Sequence, residues 1–108
     1  MVQVIKKIDP FVERAIQRIA QDIHPRRMIL FGSRAKGSSP IDSDIDLLLI
    51  YDGPLSKSDV HLRILDLFDP GDFSLDIFIL SPDEWENLKP IANTLAREAA
   101  ETGVVCYG

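Results

Sequence analysis

Apolar and polar residues alternate at two different spacings along the chain, and the first spacing is helical. Apolar residues recur every three or four positions between residues 10 and 23, which predicts one helix with a single apolar face: Phe11, Ala15, Ile16, Ile19, Ala20 and Ile23. Asp9-Pro10 supplies an N-cap followed by proline at the first helical position. His24-Pro25 ends the helix, because the residue before proline disfavours helical geometry.

Short apolar runs predict four strands, at residues 27–31, 44–51, 73–80 and 104–107. Further helices are predicted over residues 56–69 and from Ser81, where serine, proline and two acids form a helix start. Pro90 is expected to interrupt the latter, and a final helix with Ile91 on its inner face is expected to stop at Gly103. The order indicates an α/β (α+β) fold, with a small mixed β-sheet and helices packed on one face. Residues 1–108 are expected to form a single domain.

Composition and charge narrow the class of protein. The chain is 45% hydrophobic with a formal net charge of -5, so direct nucleic-acid binding through a basic surface is not expected. No apolar run approaches the roughly 20 residues of a membrane span, and no signal-like segment is seen, so a cytoplasmic location is expected. Cys106 is the only cysteine and is predicted to be a small buried hydrophobe.

Two acids at the start of the second strand are the first candidate site. Asp44 and Asp46 point to one face, about 7 Å apart, while Leu47 and Leu49 point to the other. Like charges this close repel unless a cation lies between them, and Mg²⁺ favours carboxylate oxygens while keeping positions open for phosphate. The alternative is that both are strand-end acids facing water.

Two further features fit the same chemistry. Asp76 is the only charge inside the third strand, and it joins the cluster if that strand pairs beside the second; the alternative is a charge that protects an edge strand. Gly32 lets the backbone approach a phosphate, and Ser33 offers a hydroxyl and an N–H. Arg34 and Lys36 could neutralise phosphate charge.

The sequence resembles the nucleotidyltransferase (polymerase-beta-like) superfamily in its GS-x10-DxD signature. Here Gly32-Ser33 is followed by ten residues and then by Asp44-Ile45-Asp46. The stretch GSRAKGSSPIDSDIDLLL resembles its minimal nucleotidyltransferases, and the resemblance covers nearly the whole chain. It implies that Gly32, Ser33 and Arg34 bind the nucleotide. Asp44 and Asp46 would ligate two Mg²⁺ ions, and Asp76 would ligate one and help to activate the incoming hydroxyl.

The resemblance also implies a reaction and a partner. Minimal members resemble antitoxins of toxin–antitoxin pairs that attach AMP from ATP to a tyrosine of a HEPN-domain toxin, a reaction of the EC 2.7.7 class. A partner, or another copy of the chain, is expected to complete the site. Two alternatives remain open: a non-catalytic antitoxin that neutralises its partner by binding alone, and a small-molecule nucleotidyltransferase.

Overall fold

The computed structural model describes residues 10–32, 45–68 and 75–108, apart from the side chain of Phe11. These residues form four helices and four strands, in chain order α1 (Pro10–Ile23), β1 (Arg27–Phe31), β2 (Ile45–Ile50), α2 (Lys57–Asp66), β3 (Leu75–Leu80), α3 (Pro82–Leu88), α4 (Leu95–Thr102) and β4 (Val104–Tyr107). Every predicted helix and strand is therefore present. Residues 44, 69, 73 and 74 of the predicted elements lie outside the described residues.

The strands form one mixed sheet in the order β3-β2-β1-β4. β1 runs antiparallel to β2 and β4, whereas β2 and β3 are parallel. The C-terminal end of β1 and the N-terminal ends of β2 and β3 consequently lie side by side at one end of the strands. The mixed sheet of the predicted fold class is confirmed.

Helices cover both faces of this sheet, so the prediction that they pack on one face is wrong. On one face, Leu47 and Leu49 of β2 share a core with α1 and α2. On the opposite face, Leu48 and Ile50 pack against α3 and α4, in a cluster that includes Trp85 of α3. Four consecutive apolar residues are typical of a strand that is buried on both sides, and β2 has this pattern for that reason.

Side-chain caps explain where the later helices begin. Ser81 and Glu84 form a reciprocal capping box at the start of α3, with Pro82 at its first position, as predicted. α4 begins only at Leu95, because Thr94 caps it by accepting a hydrogen bond from a main-chain N–H. Ile91 precedes that cap and is 50% exposed, so the prediction that it lies on the inner face of the last helix is wrong.

Candidate active site

Two carboxylates lie side by side where β2 and β3 begin. Asp46 and Asp76 are register partners in the parallel pair, and Phe31 of β1 is the partner of Asp46 on its other side. Register partners on neighbouring strands, about 4.8 Å apart, point to the same face of a sheet. The third strand therefore pairs beside the DxD strand, which is the condition under which Asp76 joins the acid cluster, and Asp46 and Asp76 lie close together.

The main chain at Gly32 comes close to one of these carboxylates. Gly32 follows β1 directly and has φ +76°, a left-handed conformation that glycine adopts without strain. A Cβ atom placed on Gly32 would overlap the Oδ2 atom of Asp46 and lie 3.3 Å from its Cγ atom. Only glycine therefore fits here with both its backbone conformation and the Asp46 carboxylate preserved.

Aromatic residues form the floor beside the acids. The rings of Phe31 and Phe78 meet at a centroid distance of 5.8 Å with a tilt of 52°, a favourable tilted geometry. Phe78 is the register partner of Leu48, one step along the same face from the acids. Asp46 is half-buried and Asp76 is exposed, so the pair has an apolar wall on one side and is open to solvent through Asp76.

This donor set suits a hard divalent cation. Adjacent carboxylate oxygens on rigid strands are the ligands that Mg²⁺ prefers, and Gly32 leaves room beside one of them. Within the described ranges, no group of three or more acids, histidines or cysteines is arranged to hold a metal. Four residues predicted for this site lie outside the described residues: Ser33, Arg34, Lys36 and Asp44. The structure brings together Gly32, Asp46 and Asp76.

The sequence matches the family model described as a nucleotidyltransferase domain over residues 12–103. The chain belongs to the nucleotidyltransferase domain family. It is an enzyme of this class, and the family uses a nucleoside triphosphate and typically a divalent metal. The acids and Gly32 lie within the matched range. No curated protein matches the sequence.

Two solved structures share the fold of this nucleotidyltransferase. One is described as a toxin-antitoxin with AMP-PNP, with TM-score 0.59 and 20% identity over 89% of this chain and 73% of that one. The other carries the name "putative nucleotidyltransferase" and comes from Sulfolobus solfataricus, with TM-score 0.53 and 20% identity over 87% of this chain and 74% of that one. Both support the α+β architecture.

Other predicted positions can now be placed. Cys106 is buried, and its thiol hydrogen-bonds to the Met28 carbonyl oxygen at 3.4 Å. Burial raises the pKa of the Cys106 thiol from its ordinary 9.0 to about 12, so the prediction of an inert buried hydrophobe is confirmed. In the parts of the chain that the structure covers, no helix has the length and apolar character to cross a membrane.

One feature near the acids was missed by sequence reasoning. A groove with a volume of about 570 Å³ runs along the outer side of β3. We call it the β3 groove; its walls include His61 and Leu62 of α2, Ile77, Phe78 and Ile79 of β3, and Leu95 of α4. The alternating pattern of the third strand was the part of the sequence that could have indicated this groove. That pattern does not show that β3 is the last strand of the described sheet.

Proposed function

We propose that this nucleotidyltransferase transfers AMP from ATP to a hydroxyl group, that of a tyrosine, on a HEPN-type toxin, and so acts as its antitoxin in the cytoplasm. The proposal is carried by one observation, the register pair of Asp46 and Asp76 beside Gly32 in a chain of this family. Two adjacent carboxylates of like sign repel each other. In a phosphoryl-transfer site, such a pair serves to bind the divalent cation.

The residues would divide the work by their positions. Asp46 and Asp76, together with Asp44, would hold Mg²⁺, and Gly32 would let the main chain approach the phosphates, with Ser33 and Arg34 beside it. Two bound Mg²⁺ ions would stabilise the charge on the attacking and leaving oxygens. Leu47 and Leu49 on the opposite face are fully buried, so they fix β2 and with it the position of Asp46.

The transfer exchanges one phosphorus–oxygen bond for another. The acceptor hydroxyl oxygen attacks the α-phosphorus of ATP, and the bond from that phosphorus to the bridging oxygen of pyrophosphate breaks. The hydroxyl proton passes to the Asp76 carboxylate, which is exposed and therefore open to the acceptor. The products are AMP esterified to the acceptor and free pyrophosphate.

The toxin partner rests on the similarity of fold to the toxin-antitoxin structure that contains AMP-PNP and on the resemblance of the GSRAKGSSPIDSDID stretch to minimal nucleotidyltransferases. The exposure of Asp76 supports a macromolecular acceptor, because a large partner can reach this side chain from solvent. A net charge of -5 favours a partner that presents a neutral or basic surface.

Incubation with Mg²⁺ and α-labelled ATP, with and without the purified HEPN-domain protein, tests the proposal. We expect label on the partner from wild type, and a loss of about a thousandfold in Asp46→Asn and Asp76→Asn, since each removes a carboxylate proposed to hold Mg²⁺ at the reacting phosphates. Asp22→Asn, an exposed acid of α1, is the matched control and should label normally.

Three results would contradict the proposal in different ways. A wild-type protein that binds and silences the partner without transferring label would be a binding antitoxin. Label on a small hydroxyl compound, with none on protein, would indicate a small-molecule enzyme. Full activity of Asp76→Asn would show that this acid only protects the edge strand, since β3 does lie at the edge of the sheet.

A further inference from the structure

In the part of the chain that the structure describes, no strand pairs with the main-chain groups on the outer side of β3. β3 is the last strand of the sheet, and the Leu80 carbonyl oxygen accepts a hydrogen bond from the Tyr51 N–H at 2.9 Å, across the β2 side. Main-chain groups of alternate residues point to the same side of a strand. Asp76 and Phe78 therefore face β2 as Leu80 does, and the N–H and C=O groups of Ile77 and Ile79 face outward.

These outward groups lie along the β3 groove, which is itself open to solvent. The groove has α2 on one side of the strand and Leu95 of α4 on the other, so an extended chain laid against β3 would have a wall on each face. Two large apolar side chains on its walls are exposed, Leu62 by 61% and Phe78 by 36%. Exposed apolar residues beside unpaired strand groups are the features that an added strand recognises.

The groove continues directly from the proposed active site. Asp76 immediately precedes Ile77, the first groove residue of β3, and its side chain lies on the face that carries Asp46. If a strand pairs antiparallel to β3, the residue opposite Asp76 is in a non-hydrogen-bonded pair with Cα atoms about 4.5 Å apart. Its side chain would emerge on the acid face, beside the carboxylates.

We propose that the β3 groove binds an extended, hydroxyl-bearing segment of the acceptor protein as an added strand and so delivers the hydroxyl to Asp76. This inference rests on the proposed function and names how its substrate binds. Charge favours a neutral or basic segment over a second copy of the chain, because two copies each carry a net charge of -5. Lys57 of the groove wall does not attract an acidic second copy, since its charge is already paired with Glu84 at an N–O distance of 2.7 Å.

Two leucines of α2 provide matched variants. Leu62 lines the groove, whereas Leu65 is also exposed, by 47%, but is not part of the groove wall. With Mg²⁺, α-labelled ATP and the HEPN-domain protein, Leu62→Glu should raise the partner concentration for half-maximal labelling about tenfold. Leu65→Glu adds the same charge to the same helix and should behave as wild type. ATP affinity should be unchanged in both.

Ile79→Pro tests the main chain itself. It removes an N–H that faces outward and leaves the β2–β3 bonds in place, as proline at an edge strand can. We expect a similar loss of partner labelling with ATP affinity retained. Should this variant fail to fold by circular dichroism, the leucine pair still decides the question.

Amide exchange followed by NMR separates this inference from the proposed function. Adding the partner should slow exchange of the Ile77 and Ile79 amides, while that of Phe78, already bonded to β2, stays slow throughout. If wild type transfers no label, the proposed function fails, and protection of Ile77 and Ile79 by the partner would still support the groove.

Unchanged exchange of both amides, or equal behaviour of the two leucine variants, would overturn the groove as the docking site. Concentration-dependent dimerisation that Leu62→Glu abolishes would overturn it in favour of a second copy.

Discussion

Replacing Gly32 by alanine tests how closely the main chain controls the Asp46 carboxylate. Gly32 has φ +76°, which costs an L-residue about 1–2 kcal/mol. The new Cβ atom would overlap Asp46 Oδ2 and lie 3.3 Å from Cγ and 3.5 Å from Cβ, so the carboxylate has to turn away or the strand end has to move. We therefore expect Gly32→Ala to lower the free energy of unfolding by about 2 kcal/mol.

The effect on transfer should be larger than the effect on folding. Displacement of a catalytic group by about 1 Å can cost about 100-fold in rate, and we expect a fall of that size in labelling by Gly32→Ala. Asn93→Ala is the control, because Asn93 has a similar φ of +66° but lies in the connection between α3 and α4 and not on a strand that carries the acids. It should lose about 1 kcal/mol of stability and no activity.

Urea unfolding gives the stabilities of both variants, and binding of Mn²⁺ followed by electron paramagnetic resonance reports on the carboxylates without turnover. Gly32→Ala should bind Mn²⁺ more weakly than wild type. Wild-type Mn²⁺ affinity and transfer rate in Gly32→Ala would refute the reasoning, since the position of Asp46 would then not depend on the absence of a side chain at Gly32.

Three other predictions concern stability. Burial raises the pKa of the Cys106 thiol from 9.0 to about 12, so the unfolded chain loses the thiol proton at a lower pH than the folded chain does. The free energy of unfolding should therefore fall above pH 9 by about 1.4 kcal/mol per pH unit. Urea unfolding of Cys106→Ala should lack this slope. Ser81→Ala should cost about 1 kcal/mol by loss of the α3 cap. Ser58→Ala, at an exposed position of α2, should cost nothing measurable by the same method. The hydrogen bond from Lys57 lowers the pKa of Glu84 from 4.5; the stability it contributes, under about 1 kcal/mol for an exposed pair, should be present above pH 4.5 and lost as pH falls through the lower folded pKa. Glu84→Gln should lack that acid-side loss in thermal unfolding.

The elements could be predicted because local signals in this sequence agree with the fold. Pro82 and the acids after Ser81 define the start of α3, and Asp76 was a reasonable candidate partner for the DxD strand. Its position beside Asp46 required that β2 and β3 pair, a non-local fact that the structure establishes.

The side of the sheet on which a helix packs could not be predicted. An apolar stripe shows which face of a helix is buried but not against which side of the sheet. Leu48 indicates that both sides of the sheet are buried, because it points to the face opposite Leu47 and Leu49. On that face α3 and α4 bury it. The edge position of β3 was equally hidden, because a single charge in a strand suits an edge and a metal site alike.

The burial of β2 on both faces has a consequence for inactivation by heat. A strand enclosed by helices on each side opens only when the whole domain unfolds, so its amides should be among the slowest to exchange. Asp46 is part of this strand, and it should keep its position until the cooperative transition. Warming should then displace Asp46 only at the temperature at which the fold is lost, so any earlier loss of transfer would have to arise outside β2, for example at Asp76 on the edge strand.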